Sequence, residues 1–287
     1  MRTASRTAEL VALYRAIESS RSAATRLFVD AHAPAFLGPR FRWALRAYQV
    51  PAIGAAVPWS IIDGHWSGPR GTVAVRTRYI DDVLGAALRG GAEQVVILGA
   101  GFDCRAYRIP DIARTRVFEV DHPATQAVKH QAFTHVGIPA NVRFIAMDFE
   151  RGDFIANLRA AGFVSERPSL IIWVGVTCYL TKQAITRAMK QIASLGARGT
   201  RLIFDYIQAE VINRTSHNSE ALRKARRMAR LGEPWLFGLT PEQVPDYLAS
   251  FGFKLIKDYG AAELRAGYCP QRRMPIDYSR IVVCERL

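Results

Sequence analysis

The sequence predicts an α/β protein with a mostly parallel sheet that closes with an antiparallel hairpin. From about residue 94 onward, short apolar runs alternate with helical patterns, which is typical of a parallel sheet covered on both faces. The last two apolar runs lack a convincing helical pattern between them, which favours a hairpin. With 287 residues, 49% of them hydrophobic, the chain is long enough to bury the core of such a domain.

Seven apolar runs are the predicted strands. In chain order they are Gln94–Leu98, Arg116–Val120, Val142–Met147, Ser169–Val176, Arg201–Tyr206, Phe253–Tyr259 and Ser279–Leu287. The intervening helices are predicted near residues 122–135, 153–161 and 181–195.

Two further segments are predicted to be mainly helical. Residues 1–72 form a helical cover over the carboxyl ends of the strands, where open parallel sheets bind ligands. Residues 73–287 form the second domain, with an insertion at about 207–238 that lacks strand character. Periodic apolar residues predict a lid helix in this insertion. They are Leu222, Ala225, Met228 and Leu231.

The composition argues against several classes of partner. The formal net charge is +14, but the arginines are spread along the chain and no aromatic stacking platform accompanies them, which argues against a nucleic-acid protein. No run of 18 or more uncharged apolar residues occurs, so no membrane span is predicted. The four cysteines form no CxxC pair or Cys-His metal spacing, which predicts a reduced, cytoplasmic protein without a bound metal.

The stretch VVILGAGFDCRAYRI, Val95 to Ile109, places Gly99 and Gly101 directly after the first strand. A dinucleotide fingerprint requires a third glycine where this chain has Cys104. The carboxylate of Asp103 would also repel a pyrophosphate. The loop therefore argues against a nicotinamide-dependent oxidoreductase and favours a ligand without phosphate.

Acidic residues end the next two strands. Glu119 and Asp121 follow Gly99 by 20 and 22 residues, a spacing typical of an acid that binds ribose hydroxyls. Asp148 and Phe149 end the third strand, where a carboxylate and an aromatic ring suit the amine and face of adenine. Together these features predict S-adenosylmethionine, a cationic cofactor without phosphate. Alternatively, the acids are helix N-caps and the glycines form an ordinary tight turn.

At these residues the sequence resembles the leucine carboxyl methyltransferase family, in its bacterial S-adenosylmethionine-dependent branch. The resemblance implies a class I methyltransferase (Rossmann-like) fold with strand order 3-2-1-4-5-7-6 and strand 7 antiparallel. The matching stretches are TAELVALYRAIES, LFVDAHA, VAVRTRYIDD, QVVILGAGFDCRAYRI, VFEVDHPATQAVK and WVGVTCYLT.

The resemblance also implies roles for individual residues. Arg76 matches an arginine that pairs with the methionine carboxylate of the cofactor, and Gly99 matches the glycine that lets the backbone approach it. Asp121 matches the ribose acid, while Asp148 and Phe149 match the adenine pair. Gly101 and Asp103 belong to the same glycine-loop signature.

The glycine-loop pair has an alternative interpretation, and one position departs from the family pattern. Asp103 and Arg105 are equally explained as a mutually paired scaffold. Val174 lies in WVGVTCYL, where the family pattern WEGVTxYL has a glutamate near the methionine end of the cofactor. The valine removes an acceptor for the cofactor's amino group.

The sequence predicts an O-methyltransferase that makes a methyl ester of a small-molecule or peptide carboxylate. A carboxylate is already ionised at neutral pH, so the enzyme needs alignment rather than a general base. Tyr179 and Tyr206, after the fourth and fifth strands, are expected to orient the acceptor. One alternative is methylation of a hydroxyl with His217 as the base. Another is a cofactor-binding protein with lost or repurposed activity, of which Val174 would be the sign.

Overall fold

The computed structural model describes residues 6–50, 69–150, 152–270 and 277–287. Within these ranges, no helix combines the length and the apolar character that crossing a bilayer requires.

The sheet has the predicted topology. Its strands are β1 (Gln94–Leu98), β2 (Arg116–Asp121), β3 (Val142–Ala146), β4 (Ser169–Trp173), β5 (Arg201–Gln208), β6 (Gly238–Leu239), β7 (Phe253–Tyr259) and β8 (Ser279–Arg286). They are ordered β3-β2-β1-β4-β5-β8-β7, and the two-residue β6 pairs with β5. Strands β1 to β5 run parallel, whereas β8 is antiparallel to both β5 and β7. With β6 set aside, the predicted order 3-2-1-4-5-7-6 is confirmed.

Helices cover both faces of the sheet and its carboxyl edge. Those of the described ranges are α1 (Arg6–Ser19), α2 (Pro39–Gln49), α3 (Pro69–Arg89), α4 (Arg105–Arg108), α5 (Pro123–Ala132), α6 (Ile155–Ala160), α7 (Lys182–Leu195), α8 (Ala209–Ile212), α9 (Ser219–Arg230), α10 (Val244–Ala249) and α11 (Ala261–Tyr268).

Alternation along the strands divides the core into two layers. Val96 and Leu98 of β1 pack with α7, while Val95 and Ile97 pack with α3 on the opposite face. This follows from the two-residue period of a strand. Every residue of β1 is buried, and for this reason the strand is a continuous apolar run in the sequence.

The link between the last two strands differs from the prediction. Helix α11 lies between β7 and β8, where the sequence suggested a simple hairpin. It buries Leu264 in the α3 layer, and the hydroxyl of Tyr268 donates to Asp82 Oδ2 at 2.8 Å. An eight-residue helix offers few apolar repeats, and contacts with α3 rather than local periodicity stabilise it.

The N-terminal cover packs on the glycine loop. Leu13 and Ile17 of α1 share a buried cluster with Phe102 and Cys104. The predicted domain boundary between residues 72 and 73 falls inside α3, so one continuous helix joins the cover to the sheet.

A chain of buried ion pairs also ties the cover to the domain. Asp30, which is fully buried, lies 3.2 Å from Arg15 Nε and 3.9 Å from Arg108 Nε. Arg108 Nη2 lies 2.6 Å from Asp81 Oδ1, which Arg105 Nε also contacts at 2.9 Å. We call these five residues the cover network.

The predicted lid helix is α9, with one correction. Ala221 and Met228 are buried and Leu222 and Ala225 are half-buried, as an amphipathic helix requires. Leu231, however, follows the last residue of α9 and is 57% exposed. It is therefore not part of the packed face.

Candidate active site

The glycine loop after β1 contacts the ends of both neighbouring strands, β2 and β4. The N–H of Gly99 donates to Val120 O of β2 at 2.7 Å. Gly99 has φ +66°, and a Cβ placed on it would lie 2.1 Å from Cγ2 of Val176, which follows β4. Both the backbone conformation and the contact with Val176 therefore require glycine here.

Asp121, at the end of β2, holds the same loop. Its Oδ2 accepts the N–H of Gly101 and its Oδ1 accepts the N–H of His122 at 2.5 Å. Burial raises the pKa of Asp121, although these two amides oppose the rise. The predicted ribose acid thus lies directly against the glycine loop.

Glu119, the other predicted ribose acid, is 1% exposed and faces the interior. Lys129 Nζ of α5 donates to Glu119 Oε2 at 2.5 Å and to the carbonyl of Asp103 at 2.5 Å. Burial raises the pKa of Glu119 to about 7, against the opposing effect of Lys129. Glu119 is therefore an interior residue, and Asp121 stays the predicted ribose acid.

Asp103 is buried and pairs with Arg105. Its carboxylate accepts hydrogen bonds from the guanidinium of Arg105 and from the Arg105 N–H, the latter at 2.7 Å. Burial opposes ionisation, but Arg105 and Lys129 outweigh it and hold the pKa of Asp103 below its ordinary value. These contacts agree with the alternative of a mutually paired scaffold, and the role of Asp103 toward the cofactor stays a prediction.

Arg76 of α3 pairs with an acid that the sequence analysis did not select. Arg76 Nη1 donates to Asp205 Oδ2 at 2.6 Å, and Asp205 Oδ1 accepts the N–H of Gly175 at 2.8 Å. Burial raises the pKa of Asp205, while Arg76 and the Gly175 amide act in the opposite direction. The available signal was an aspartate inside the apolar run RLIFDYIQ, since a buried acid requires a partner.

These contacts form one continuous edge, which we call the strand-end rim. It runs from β2 through the β1 loop and the end of β4 to β5 and α3. Its members are Asp121, Gly101, Gly99, Gly175, Asp205 and Arg76.

The end of β3 adjoins the rim. The N–H of Met147 donates to Asp121 O at 2.8 Å, and Asp148 follows Met147 directly in the chain. Asp148 is exposed and its Oδ1 accepts the N–H of Glu150 at 3.0 Å. Phe149 is half-buried, with its ring centroid 6.5 Å from that of Phe154. The adenine roles of this pair remain predictions.

The two predicted acceptor tyrosines differ in their surroundings. Tyr206 is 1% exposed, and its hydroxyl donates to Asp258 Oδ2 at 2.9 Å. It packs in the core, and its role toward an acceptor stays a prediction. Tyr179 is half-buried in an apolar cluster with Ala225 and Trp235 from the 207–238 segment. Val174 is half-buried and packs in the α3 layer, so it brings no polar group to the rim.

The N-terminal cover and the 207–238 segment meet beside the glycine loop. A Cβ placed on Gly101 would lie 3.8 Å from Cβ of Ala8 in α1. The neighbouring Thr7 donates its hydroxyl hydrogen to Glu233. The two segments therefore contact each other next to the rim.

The rim fits the predicted cofactor chemically. Asp121 suits ribose hydroxyls, and Arg76 with Asp205 offers one positive and one negative group to an amino-acid zwitterion. Gly99 and Gly101 bring the loop backbone close to Asp121. Over the described ranges, no group of three or more His, Cys, Asp or Glu residues is arranged to bind a metal ion, and all four cysteines are buried free thiols.

Comparison with known proteins defines the class of this protein. The fold is that of class I S-adenosylmethionine-dependent methyltransferases. A crystal structure of a candidate methyltransferase from Thermobifida fusca YX superposes with a TM-score of 0.60, at 16% identity, over 96% of this chain and 94% of that one. The leucine carboxyl methyltransferase family profile matches residues 8–193. The chain belongs to this family, as the resemblance implied.

Two relatives are named as candidate S-adenosyl-L-methionine-dependent methyltransferases. One, from Mycolicibacterium smegmatis, is 37% identical over 188 residues, which cover 64% of this chain and 61% of that protein. The other, from Parafrankia sp. strain EAN1pec, is 33% identical over 262 residues, or 87% of this chain and 76% of that protein. The match thus spans about three fifths of the first relative. The cofactor predicted from the rim agrees with the names of both.

Proposed function

We propose that this protein is an S-adenosylmethionine-dependent O-methyltransferase that converts an acceptor carboxylate to its methyl ester. The observation that carries the proposal is the strand-end rim, in which Asp121, the glycine loop and Arg76 follow one another along one edge of the sheet. Membership of the leucine carboxyl methyltransferase family supports the proposal.

Each rim residue has a proposed task toward the cofactor. Asp121 accepts hydrogen bonds from the ribose hydroxyls, and Arg76 binds the methionine carboxylate through guanidinium N–H groups that Asp205 leaves free. Gly99 and Gly101 let the backbone approach the cofactor. Asp148 accepts from the adenine amine and Phe149 packs beside the base.

When bound, the cofactor supplies a methyl group on a positively charged sulfur. The acceptor must approach that carbon in line with the breaking bond, so the protein's task is to align two bound molecules. The proposed acceptor site lies between α1 and the 207–238 segment, which the hydrogen bond from Thr7 to Glu233 joins beside the rim. Burial raises the pKa of Tyr179 well above its ordinary value of 10.0. Its hydroxyl therefore stays protonated and is able to donate to an acceptor carboxylate.

The histidines support an acceptor that arrives ionised. His122 Nδ1 accepts the N–H of Ala124 at 3.2 Å and caps α5. His32 and His130 pack against aromatic rings of Phe133 and Phe144 respectively. These three rings have structural contacts of their own, and a carboxylate acceptor requires no base.

The test uses methyl-labelled S-adenosylmethionine and a panel of carboxylic acids, each paired with its carboxamide and its alcohol. Label should transfer to the acids alone. Mild alkali should then release it as volatile methanol, because esters hydrolyse under conditions that leave ethers and N-methyl groups intact. Asp121→Ala is the control variant and should lose transfer through weak cofactor binding.

Alkali-stable label on an alcohol would refute the ester and make His217 the base to test. Absence of S-adenosylhomocysteine binding in a calorimeter would refute the cofactor assignment itself. Binding without transfer to any acid would instead favour a protein with lost or repurposed activity.

A further inference from the structure

Asp205 and Arg76 form an ion pair whose surroundings suit a ligand. Their side chains are 11% and 21% exposed, so the pair is mostly withdrawn from water yet still reachable. Gly175, whose N–H holds Asp205, is an exposed residue. A salt bridge built only for stability gains little from partial exposure, whereas a ligand-binding pair must be accessible.

The positions of both side chains are fixed. Asp205 Oδ1 accepts from Gly175 N and Oδ2 from Arg76 Nη1. In addition, Thr177 Oγ1 donates to the Asp205 carbonyl. The carboxylate is thus anchored on two sides, and each of its oxygens keeps a lone pair for another donor. The guanidinium of Arg76 likewise has further N–H groups beyond the one that contacts Asp205.

We infer that Asp205, held beside Arg76, accepts from the ammonium group of the cofactor's α-amino-acid zwitterion while Arg76 binds its carboxylate as proposed above. A zwitterion carries adjacent positive and negative groups, and an adjacent arginine and aspartate present the opposite charges side by side. This inference rests on the proposed function, since it takes S-adenosylmethionine as the ligand.

The inference also explains how the site tolerates Val174. The family pattern has a glutamate at this position, at the end of β4. Asp205 lies one strand further along the sheet and contacts the amide of Gly175, the residue after Val174. A carboxylate is therefore present at the same end of the sheet, supplied by β5 instead of β4.

The test compares two probes that differ in the amino-acid group. S-adenosylhomocysteine carries the zwitterion, whereas 5′-methylthioadenosine has the adenosine and the thioether without it. Asp205→Asn keeps the shape of the side chain and removes its charge. It should weaken S-adenosylhomocysteine about 10-fold or more, as expected for a lost hydrogen bond to a charged group, and change methylthioadenosine less than about twofold.

Asp121→Asn is the matched control, because it should weaken both probes by similar factors through their shared ribose. Equal weakening of both probes by Asp205→Asn would overturn the inference and make Asp205 a structural residue. If Asp205→Asn left the binding of both probes unchanged, the inference would be overturned as well.

If Asp205→Asn does not fold, the wild-type protein provides the test. A deaminated S-adenosylhomocysteine keeps the carboxylate and lacks the ammonium; it should bind about 10-fold or more weakly than the parent. Equal affinities would overturn the inference. If the wild-type protein bound neither S-adenosylhomocysteine nor methylthioadenosine, the proposed function itself would be refuted. That outcome is distinct from one in which the protein binds these compounds but the ammonium group makes no difference to affinity.

Discussion

Gly99→Ala should destabilise the protein far more than the same change at Gly101. Gly99 has φ +66°, a conformation that costs a residue with a side chain about 1–2 kcal/mol. The new methyl would also lie 2.1 Å from Val176 Cγ2, where about 3.5–4.0 Å is normal between carbons. Relief of this overlap by repacking adds about 1–3 kcal/mol. The expected loss in the free energy of unfolding is about 2–5 kcal/mol.

Gly101→Ala is the matched control. Gly101 has φ +51°, but a Cβ there would be 3.8 Å from its nearest neighbour, Ala8 Cβ. Only the cost of the left-handed backbone conformation remains, so the expected loss in the free energy of unfolding is about 1–2 kcal/mol. Urea unfolding followed by circular dichroism measures both variants.

A double-mutant cycle with Val176→Ala isolates the contact. That change removes Cγ2 and leaves the Val176 Cβ at 3.3 Å from the introduced methyl. The double variant should therefore be more stable than the sum of the single changes predicts, by about 1–3 kcal/mol. Additive losses, or equal losses at Gly99 and Gly101, would refute the steric argument.

Two further predictions concern charged groups. Arg76→Lys keeps the charge beside Asp205 but loses the planar fork, so calorimetry should show S-adenosylhomocysteine binding about 10-fold weaker; affinity within twofold of wild type would contradict a bidentate role. Lys129→Met removes a cation that lowers the pKa of Glu119, which burial raises to about 7. An acid with a raised folded pKa loses stability as pH rises toward that pKa, and without Lys129 the loss should continue above pH 7. Between pH 7 and 8 the variant's free energy of unfolding should fall by up to about 1 kcal/mol more than that of wild type, because wild type itself loses a few tenths of a kcal/mol over this range. The Lys129→Met, Glu119→Gln double variant should lack this extra dependence of the unfolding free energy on pH. If the dependence persists in the double variant, a group other than Glu119 causes it.

The parts of the fold that the sequence predicted correctly are those with a local signal. Strands β1 and β4 are buried on both faces, so each is a continuous apolar run. The glycine loop and Asp121 follow their strands directly and were found for the same reason. Helix α11 was missed because its stability comes from α3, which is distant in the sequence.

The Arg76–Asp205 pair was missed because it depends on tertiary structure. The two residues are 129 positions apart, and they meet only when α3 packs beside the end of β5. The burial of Tyr206 in the core could not be predicted for the same reason. Asp205 and Tyr206 are consecutive in a strand, so their side chains point to opposite faces. Since Asp205 faces Arg76, Tyr206 must enter the other layer, and nothing local to the sequence says which of the two does so.

The cover network limits how this chain can be recombined with its relatives. A hybrid that exchanged residues 6–50 alone would separate Asp30 from Arg108, its partner on the other side of the junction. If the incoming segment lacked an acid at position 30, the buried Arg108 would keep Asp81 but lose its second carboxylate, at a cost of up to about 3–5 kcal/mol. That is a large part of the 5–15 kcal/mol typical of a whole domain, as an order of magnitude. Folded hybrids are therefore expected only when the crossover points leave the whole cover network to come from one parent.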